Sequence, residues 1–154
     1  DYMGKAAKQV VTYCIRNDIG ILIVGYNTTF QRSSDLGRQT NQIFAGIPFG
    51  ILRRKLKYLC EMNGIRYVEQ EESYTSMASF WDLDEMPVYG EAGLVPPVFS
   101  GRRICRGLYQ DRSGRRINAD VNGALNIMRK CNIVSLRALY ARGDVDTPVR
   151  IRIA

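Results

Sequence analysis

Ile117-Asn118-Ala119-Asp120-Val121-Asn122-Gly123-Ala124-Leu125-Asn126-Ile127 is the stretch on which the reading of this chain turns. It follows the polar turn Gln110-Asp111-Arg112-Ser113-Gly114 and opens an apolar run at helical spacing: Val121, Ala124, Leu125 and Met128. Asp120 stands just before the first apolar residue of that run, where a helix N-cap belongs. An ordinary capped helix would account for that much. Two residues ask for more. Gly123 in the first turn costs about 1 kcal/mol against Ala, as expected where another chain segment approaches closely. Asn122 adds a second polar group where a capping Asp needs none.

Upstream of this stretch the pattern alternates between helix and strand. Met3 to Asn17 reads as a helix with Ala6, Val10, Tyr13 and Cys14 on one face, and Gly20 ends it. Ile21-Leu22-Ile23-Val24-Gly25 is a continuous apolar run with β-branched residues, the signature of a strand covered on both faces of a parallel sheet. Tyr26 to Thr40 is polar and predicts a loop leading into a short helix. Pro48 suits the first turn of a second helix, Phe49 to Asn63, with Ile51, Leu52, Leu56, Leu59 and Cys60 as its buried stripe and Asn63-Gly64 as its stop. Ile65 to Gln70 follows as a strand. Strand, helix and strand in this order predict a parallel βαβ unit, and sites in such sheets form beyond the C-terminal strand ends, where Glu71 and Glu72 lie.

Ser73 to Val98 shows no clean periodicity and reads as an irregular insertion. In it Asp82, Asp84 and Glu85 are expected as solvated loop charges, and Phe80, Trp81, Tyr89 and Phe99 as loop packing. Arg102 to Tyr109 and Arg115 to Ile117 flank the Asp111 turn and predict a hairpin. The helix opened by Asp120 should run to about Lys130, with one more helical stretch over Ser135 to Arg142. Gly143 to Ala154 reads as a tail or a closing strand.

Composition narrows the chemistry. A hydrophobic fraction of 45% and a charged fraction of 24% over 154 residues are those of an ordinary globular domain. No apolar run is long enough to span a membrane, and no signal peptide opens the chain. The first residue is Asp1, as expected of a fragment or a processed product. A net charge of +7 points to a polyanionic partner, nucleic acid before an anionic membrane. Cys14, Cys60, Cys105 and Cys131 are scattered without a C-x-x-C pair, which reads as reduced cytosolic thiols. With no His at all, HNH-type nucleases, Ser-His and Cys-His triads and most zinc sites are excluded.

These residues also carry a family resemblance. Asn118 to Ile127, preceded by Phe99-Ser-Gly-Arg-Arg-Ile104 and Arg106-Gly-Leu-Tyr109, closely resembles the C-terminal part of OrfB/TnpB-family transposases. Glu71-Glu-Ser-Tyr-Thr-Ser76 resembles a block of the same family at the right distance upstream. The resemblance implies an α/β fold: part of an RNase H-like, RuvC-like nuclease domain, a mixed sheet with flanking helices, related to type V CRISPR effectors. It implies residues 1–131 as the C-terminal portion of that domain, with 73–117 as an insertion and basic hairpin in place of a zinc ribbon, and 132–154 as an extension. Only Cys105 lies where relatives place two C-x-x-C pairs, so no zinc is expected.

The implied activity is that of a transposon-associated, RNA-guided DNA endonuclease acting in the cytoplasm, in which carboxylates hold Mg²⁺ or Mn²⁺ for two-metal phosphodiester cleavage. The implied partners are DNA and a guide RNA, with no membrane. Asp120 matches the acidic position of the third nuclease motif. The resemblance assigns a second carboxylate to Glu72, with Glu71 and Glu69 as neighbours in competition, because Val24 and Gly25 offer no acid at the end of their strand. Asn122 would orient Asp120 or a metal-bound water. A further Asp belongs to a strand upstream of the residues given. Arg102, Arg103, Arg106, Arg112, Arg115 and Arg116, around Tyr109, are the expected phosphate-contacting surface. The alternative is a relative that has lost cleavage and only holds nucleic acid.

Overall fold

The computed structural model describes residues 1–27, 48–91, 93, 95 and 97–153. It is a mixed α/β structure with small sheets and flanking helices, as the sequence implied. The chain divides into two compact units, Asp1–Glu69 with the residues from Ile151 onward, and Gln70–Arg150.

The first unit is built on α1 (Tyr2–Arg16), β1 (Ile21–Tyr26), α2 (Phe49–Met62) and the start of β2 (Arg66–Glu71). Asp1 caps α1 by accepting a hydrogen bond from the Gly4 amide, which removes one of the unpaired donors of the first turn. β1 and β2 are neighbours, and the Arg66 amide donates to the Gly20 carbonyl. The two strands therefore begin side by side, as a parallel crossover requires. Ala7, Val11 and Cys14 of α1 meet Leu56 and Cys60 of α2 and Ile65 in a shared core, with Leu22, Val24, Leu52, Leu59 and Tyr67 packed against it.

That core is offset from the expected stripes. Val10 and Tyr13 are exposed, and Ala7 and Val11 take the inner face; on α2, Ile51 is exposed. Small side chains along the contact line let two helices approach closely, whereas a Tyr fits only outside it. β1 is half-buried along its whole length instead of enclosed on both faces. Burial pushes the Cys14 and Cys60 thiols up from their ordinary range, so both remain protonated packing groups. The loop and short helix expected after Tyr26 fall on residues 28–47, which lie outside the described residues.

In the second unit, residues 72–101 are turns and irregular chain among the described residues, as the lack of periodicity from Ser73 to Val98 predicted. Then come β3 (Arg102–Cys105), β4 (Leu108–Gln110) and β5 (Arg116–Asn118), an antiparallel meander in the order β3-β4-β5. A single hairpin was expected here. The extra turn falls at Arg106-Gly107, where Gly107 at φ 78° supplies a left-handed backbone that other residues adopt at a cost. α3 (Ala119–Cys131) and α4 (Arg137–Arg142) follow, and beyond Gly143 the described chain is irregular and forms no closing strand. Tyr109, Ile117 and Ala119 centre this unit's apolar cluster, with Val121, Leu125 and Val145 against it. No helix among the described residues is long and apolar enough to cross a membrane.

Candidate carboxylate site and basic surface

Strand β5 runs directly into α3, and the last strand residue caps the helix. The Asn118 side chain accepts from the amides of Asp120 at 2.9 Å and Val121 at 3.1 Å. Asp120 is therefore not the N-cap that the sequence suggested; Asn118 fills that role because its extended backbone ends β5. Asp120 is the second helical residue, and its side chain is exposed in the first turn, where the helix dipole favours negative charge.

α3 packs inward in two ways: Val121 and Leu125 lie against the apolar cluster, as the spacing predicted, and beside them runs a polar row. Ala124 is exposed, whereas Asn122 and Asn126 are fully buried. Asn122 Oδ1 accepts from the Phe80 amide at 3.1 Å and its Nδ2 donates to the Ala78 carbonyl at 2.9 Å. Asn126 Nδ2 donates to the carbonyls of Thr75 and Ala78, at 2.9 and 2.8 Å. Arg129 continues the row by donating to the Asp84 carbonyl at 2.5 Å and to Asn126 Oδ1 at 3.2 Å, and burial lowers its pKa. These bonds satisfy loop carbonyls that would otherwise be buried without partners. Both ends of the Asn122 amide are thus engaged with backbone. Gly123 was expected to mark a close approach. A Cβ there would meet only the Thr75 carbonyl at 3.9 Å, an ordinary contact.

The glutamates separate by partner. Glu69 accepts from Tyr67 at 2.9 Å and pairs with Arg53 at 3.3 Å. Glu71 pairs with Lys130 at 2.7 Å and accepts from the Ser73 amide and hydroxyl. Burial pushes the Glu71 carboxyl up, and the hydrogen bonds from Lys130 and Ser73 outweigh it to leave the pKa lowered. Lys130 also donates to the Ser73 carbonyl at 3.0 Å. Glu72, half-buried, lies between two residues held by one ammonium, and its carbonyl accepts from the Thr75 amide and hydroxyl at 3.2 and 2.9 Å.

Asp82 and Asp84 are not the solvated loop charges that were expected. Buried Asp84 accepts from the amides of Ser79 and Ser100, at 2.8 and 2.9 Å. Asp82 accepts from the Ser79 hydroxyl at 2.7 Å and the Arg112 amide at 2.9 Å. A short acidic side chain in a turn-rich segment pins several amides at once, which is why these carboxylates turn inward. Glu85 is exposed, as expected.

All six candidate arginines are exposed. They do not share one face, because strand alternation places neighbours Arg102 and Arg103 on opposite sides of β3. Arg112 donates to Ser100 Oγ at 2.8 Å, and Arg115 lies over the Trp81 ring at 4.6 Å. Tyr109, at the centre of the cluster, is buried and donates to the Met77 carbonyl at 2.8 Å. Lys130 and Arg129 were not singled out in the sequence; their one signal was the basic last turn of a helix whose stripe carries two asparagines.

Asp120 and Glu72 are oxygen donors of the kind magnesium takes. Among the described residues, no group of three or more His, Cys, Asp or Glu side chains could hold a metal ion.

Comparison with known proteins agrees with the architecture. No curated protein matches the chain. Among solved structures it is similar to a chain of the "Cryo-EM structure of the Cas12f1-sgRNA-target DNA complex", at 18% identity and a TM-score of 0.53. That likeness covers 81% of this chain and 32% of the other, so this chain spans about a third of its relative's length. Residues 49–127, just over half of the chain, match the family described as "Cas12f1-like, TNB domain" and take in both the Glu71–Ser76 block and the start of α3. The chain belongs to this Cas12f1-like TNB-domain family, which fits the OrfB/TnpB resemblance.

Proposed function

We propose that the chain is the C-terminal part of a RuvC-like DNA endonuclease, residues 1–131 belonging to the nuclease domain and 132–154 extending it. Asp120 and Glu72 contribute carboxylates to phosphodiester cleavage, and Mg²⁺ or Mn²⁺ is the ion they would help to hold. The observation that supports this most is the setting of Asp120: an exposed carboxylate on a helix whose inner face is locked by Asn122 and Asn126. A charge held on a rigid element keeps its position, which cleavage chemistry needs. The partners are a DNA target and a guide RNA, by analogy with the complex of the structural relative. Phosphate contact falls to Arg102, Arg103, Arg106, Arg112, Arg115 and Arg116.

The test is metal-dependent cleavage of labelled single-stranded and duplex DNA, with and without co-purified RNA. Asp120→Ala and Glu72→Ala should each abolish cleavage and leave nucleic-acid binding intact. Cleavage that survives Asp120→Ala removes the carboxylate assignment. A second reading, a module that binds nucleic acid without cutting, is favoured by Val24-Gly25, where the strand end carries no acid. Salt-sensitive binding with no cut would select it.

A further inference from the structure

A trench of about 560 Å³ runs beside β5, walled by Trp81, by Arg115 to Asn118, and by the chain from Gly143 to Pro148. This volume is in the range of small-molecule clefts, about 300–1,000 Å³. Leu108 and Ile117 line it, along with Val145, which packs against the Tyr109 cluster.

Trp81 is held in place while still half-exposed. Phe80 and Tyr140 meet its ring edge-on, at 5.2 and 5.8 Å between centroids, and Arg115 lies over the ring at 4.6 Å. Arg115 is itself tied to the Gly143 carbonyl at 3.4 Å and to Asp111 at 3.6 Å. The trench thus carries a fixed stack of an indole and a guanidinium.

The polar groups of the trench are mixed in sign. Arg115 and Arg116 bring positive charge, and Asp144 and Asp146 bring negative charge, each bonded to Arg142, at 2.7 and 3.3 Å. A phosphate would find its attraction to the arginines largely offset by the two carboxylates. A planar, uncharged ring with donors and acceptors on its edge suits this lining better, and a nucleobase is such a ring. Unpaired bases are held by stacking on aromatic rings and guanidinium planes and by hydrogen bonds to their edges.

We propose that this trench seats one unstacked base of a single-stranded nucleic acid, stacked on the Trp81–Arg115 pair, with Arg116 and the two aspartates reading its edge. The proposal rests on the nucleic-acid-binding part of the proposed function and refines it: Arg115 and Arg116 serve the base, and phosphate contact stays with Arg102, Arg103, Arg106 and Arg112. The strand's phosphates pass outside, within reach of the arginines of β3 and its turn.

Trp81 is the one tryptophan of the sequence, so its fluorescence reports on this site alone. Oligothymidylate titrated into the protein should quench Trp81, whereas an abasic oligonucleotide of equal length should bind about tenfold more weakly and leave the emission unchanged. Arg116→Ser, at an exposed position, should weaken oligothymidylate binding by about fivefold while leaving binding of the abasic oligonucleotide and the unliganded emission spectrum unchanged, whereas equal weakening of both strands would make Arg116 a phosphate contact and overturn its part in the seat. Equal binding of both oligonucleotides, with unquenched Trp81 and an unaffected Arg116→Ser variant, overturns the base seat and leaves the phosphate-contacting surface standing. No binding of any single strand would remove that surface and the seat together.

Discussion

Lys130 Nζ lies 2.7 Å from Glu71 Oε2 and bonds the Ser73 carbonyl as well, so one ammonium on α3 fixes the residues on both sides of Glu72. The pair is largely enclosed, with the Lys130 side chain 11% exposed and the Glu71 side chain 21% exposed. Replacing the cation strands a partly buried carboxylate. Lys130→Met should therefore cost about 2–4 kcal/mol, read as a fall in the urea midpoint, and Lys130→Arg should recover part of it. A midpoint unchanged in Lys130→Met would show that Glu71 finds another partner at no cost.

The polar stripe of α3 predicts a contrast between neighbours on one helix. Asn126→Leu removes bonds to the Thr75 and Ala78 carbonyls and should cost about 2–4 kcal/mol, since the Thr75 carbonyl loses this donor, Ala78 keeps the one from Asn122, and Arg129 loses its bond to Asn126 Oδ1. Asp120→Ala, at an exposed first-turn position, should change stability by no more than about 1 kcal/mol. Chemical denaturation of the two variants side by side checks this; equal losses would contradict the division of α3 into an anchoring face and an exposed carboxylate.

Two glycines should respond in opposite ways. A Cβ at Gly101 would sit 2.5 Å from the Gln110 carbonyl oxygen and 2.5 Å from the Tyr109 ring, so Gly101→Ala must displace backbone and should cost more than about 2 kcal/mol. Gly123→Ala meets no such obstacle and should gain up to about 1 kcal/mol of helix propensity. Thermal unfolding distinguishes them, and a stable Gly101→Ala would mean that β4 can yield at Gln110.

Alkaline stability should depend on Tyr109. Burial first, and then the carboxylates of Asp84, Asp82 and Asp111, push its phenol up to about 12. An unfolded tyrosine titrates near about 10, so the unfolded chain releases that proton first. The contribution is therefore complete below about pH 10 and is lost as pH rises through about 12. Tyr109→Phe should lose about 1 kcal/mol at neutral pH, with its bond to Met77, and show a shallower fall of the denaturant midpoint above about pH 10. Parallel curves for the two proteins would contradict the burial argument.

The βαβ order and the position of α3 were legible because apolar spacing reports the elements that apolar cores hold. The offsets arose where packing chose among candidates: Val11 over Val10, because the helix–helix contact takes small residues and leaves Tyr13 outside. The inner face of α3 was hidden for the opposite reason. Asn122 and Asn126 repeat at helical spacing as well as any leucine pair, yet amides are counted as surface when hydrophobicity is the measure. Asp82 and Asp84 were misjudged similarly, since which carboxylates turn inward depends on amides far along the chain, Ser100 and Arg112 among them. The carboxylate pair itself came from motif likeness, and no periodicity could have supplied it.

The anchors that α3 extends toward the segment from Ser73 to Pro87 grip main-chain atoms: the carbonyls of Ser73, Thr75, Ala78 and Asp84, and the Phe80 amide. Main-chain atoms are the same whatever side chain a position carries. The exposed positions of that segment, Met77 and Glu85 among them, can therefore be rewritten without loosening its hold on the helix. A designer could vary them to present a new recognition surface while the backbone path stays where α3 keeps it.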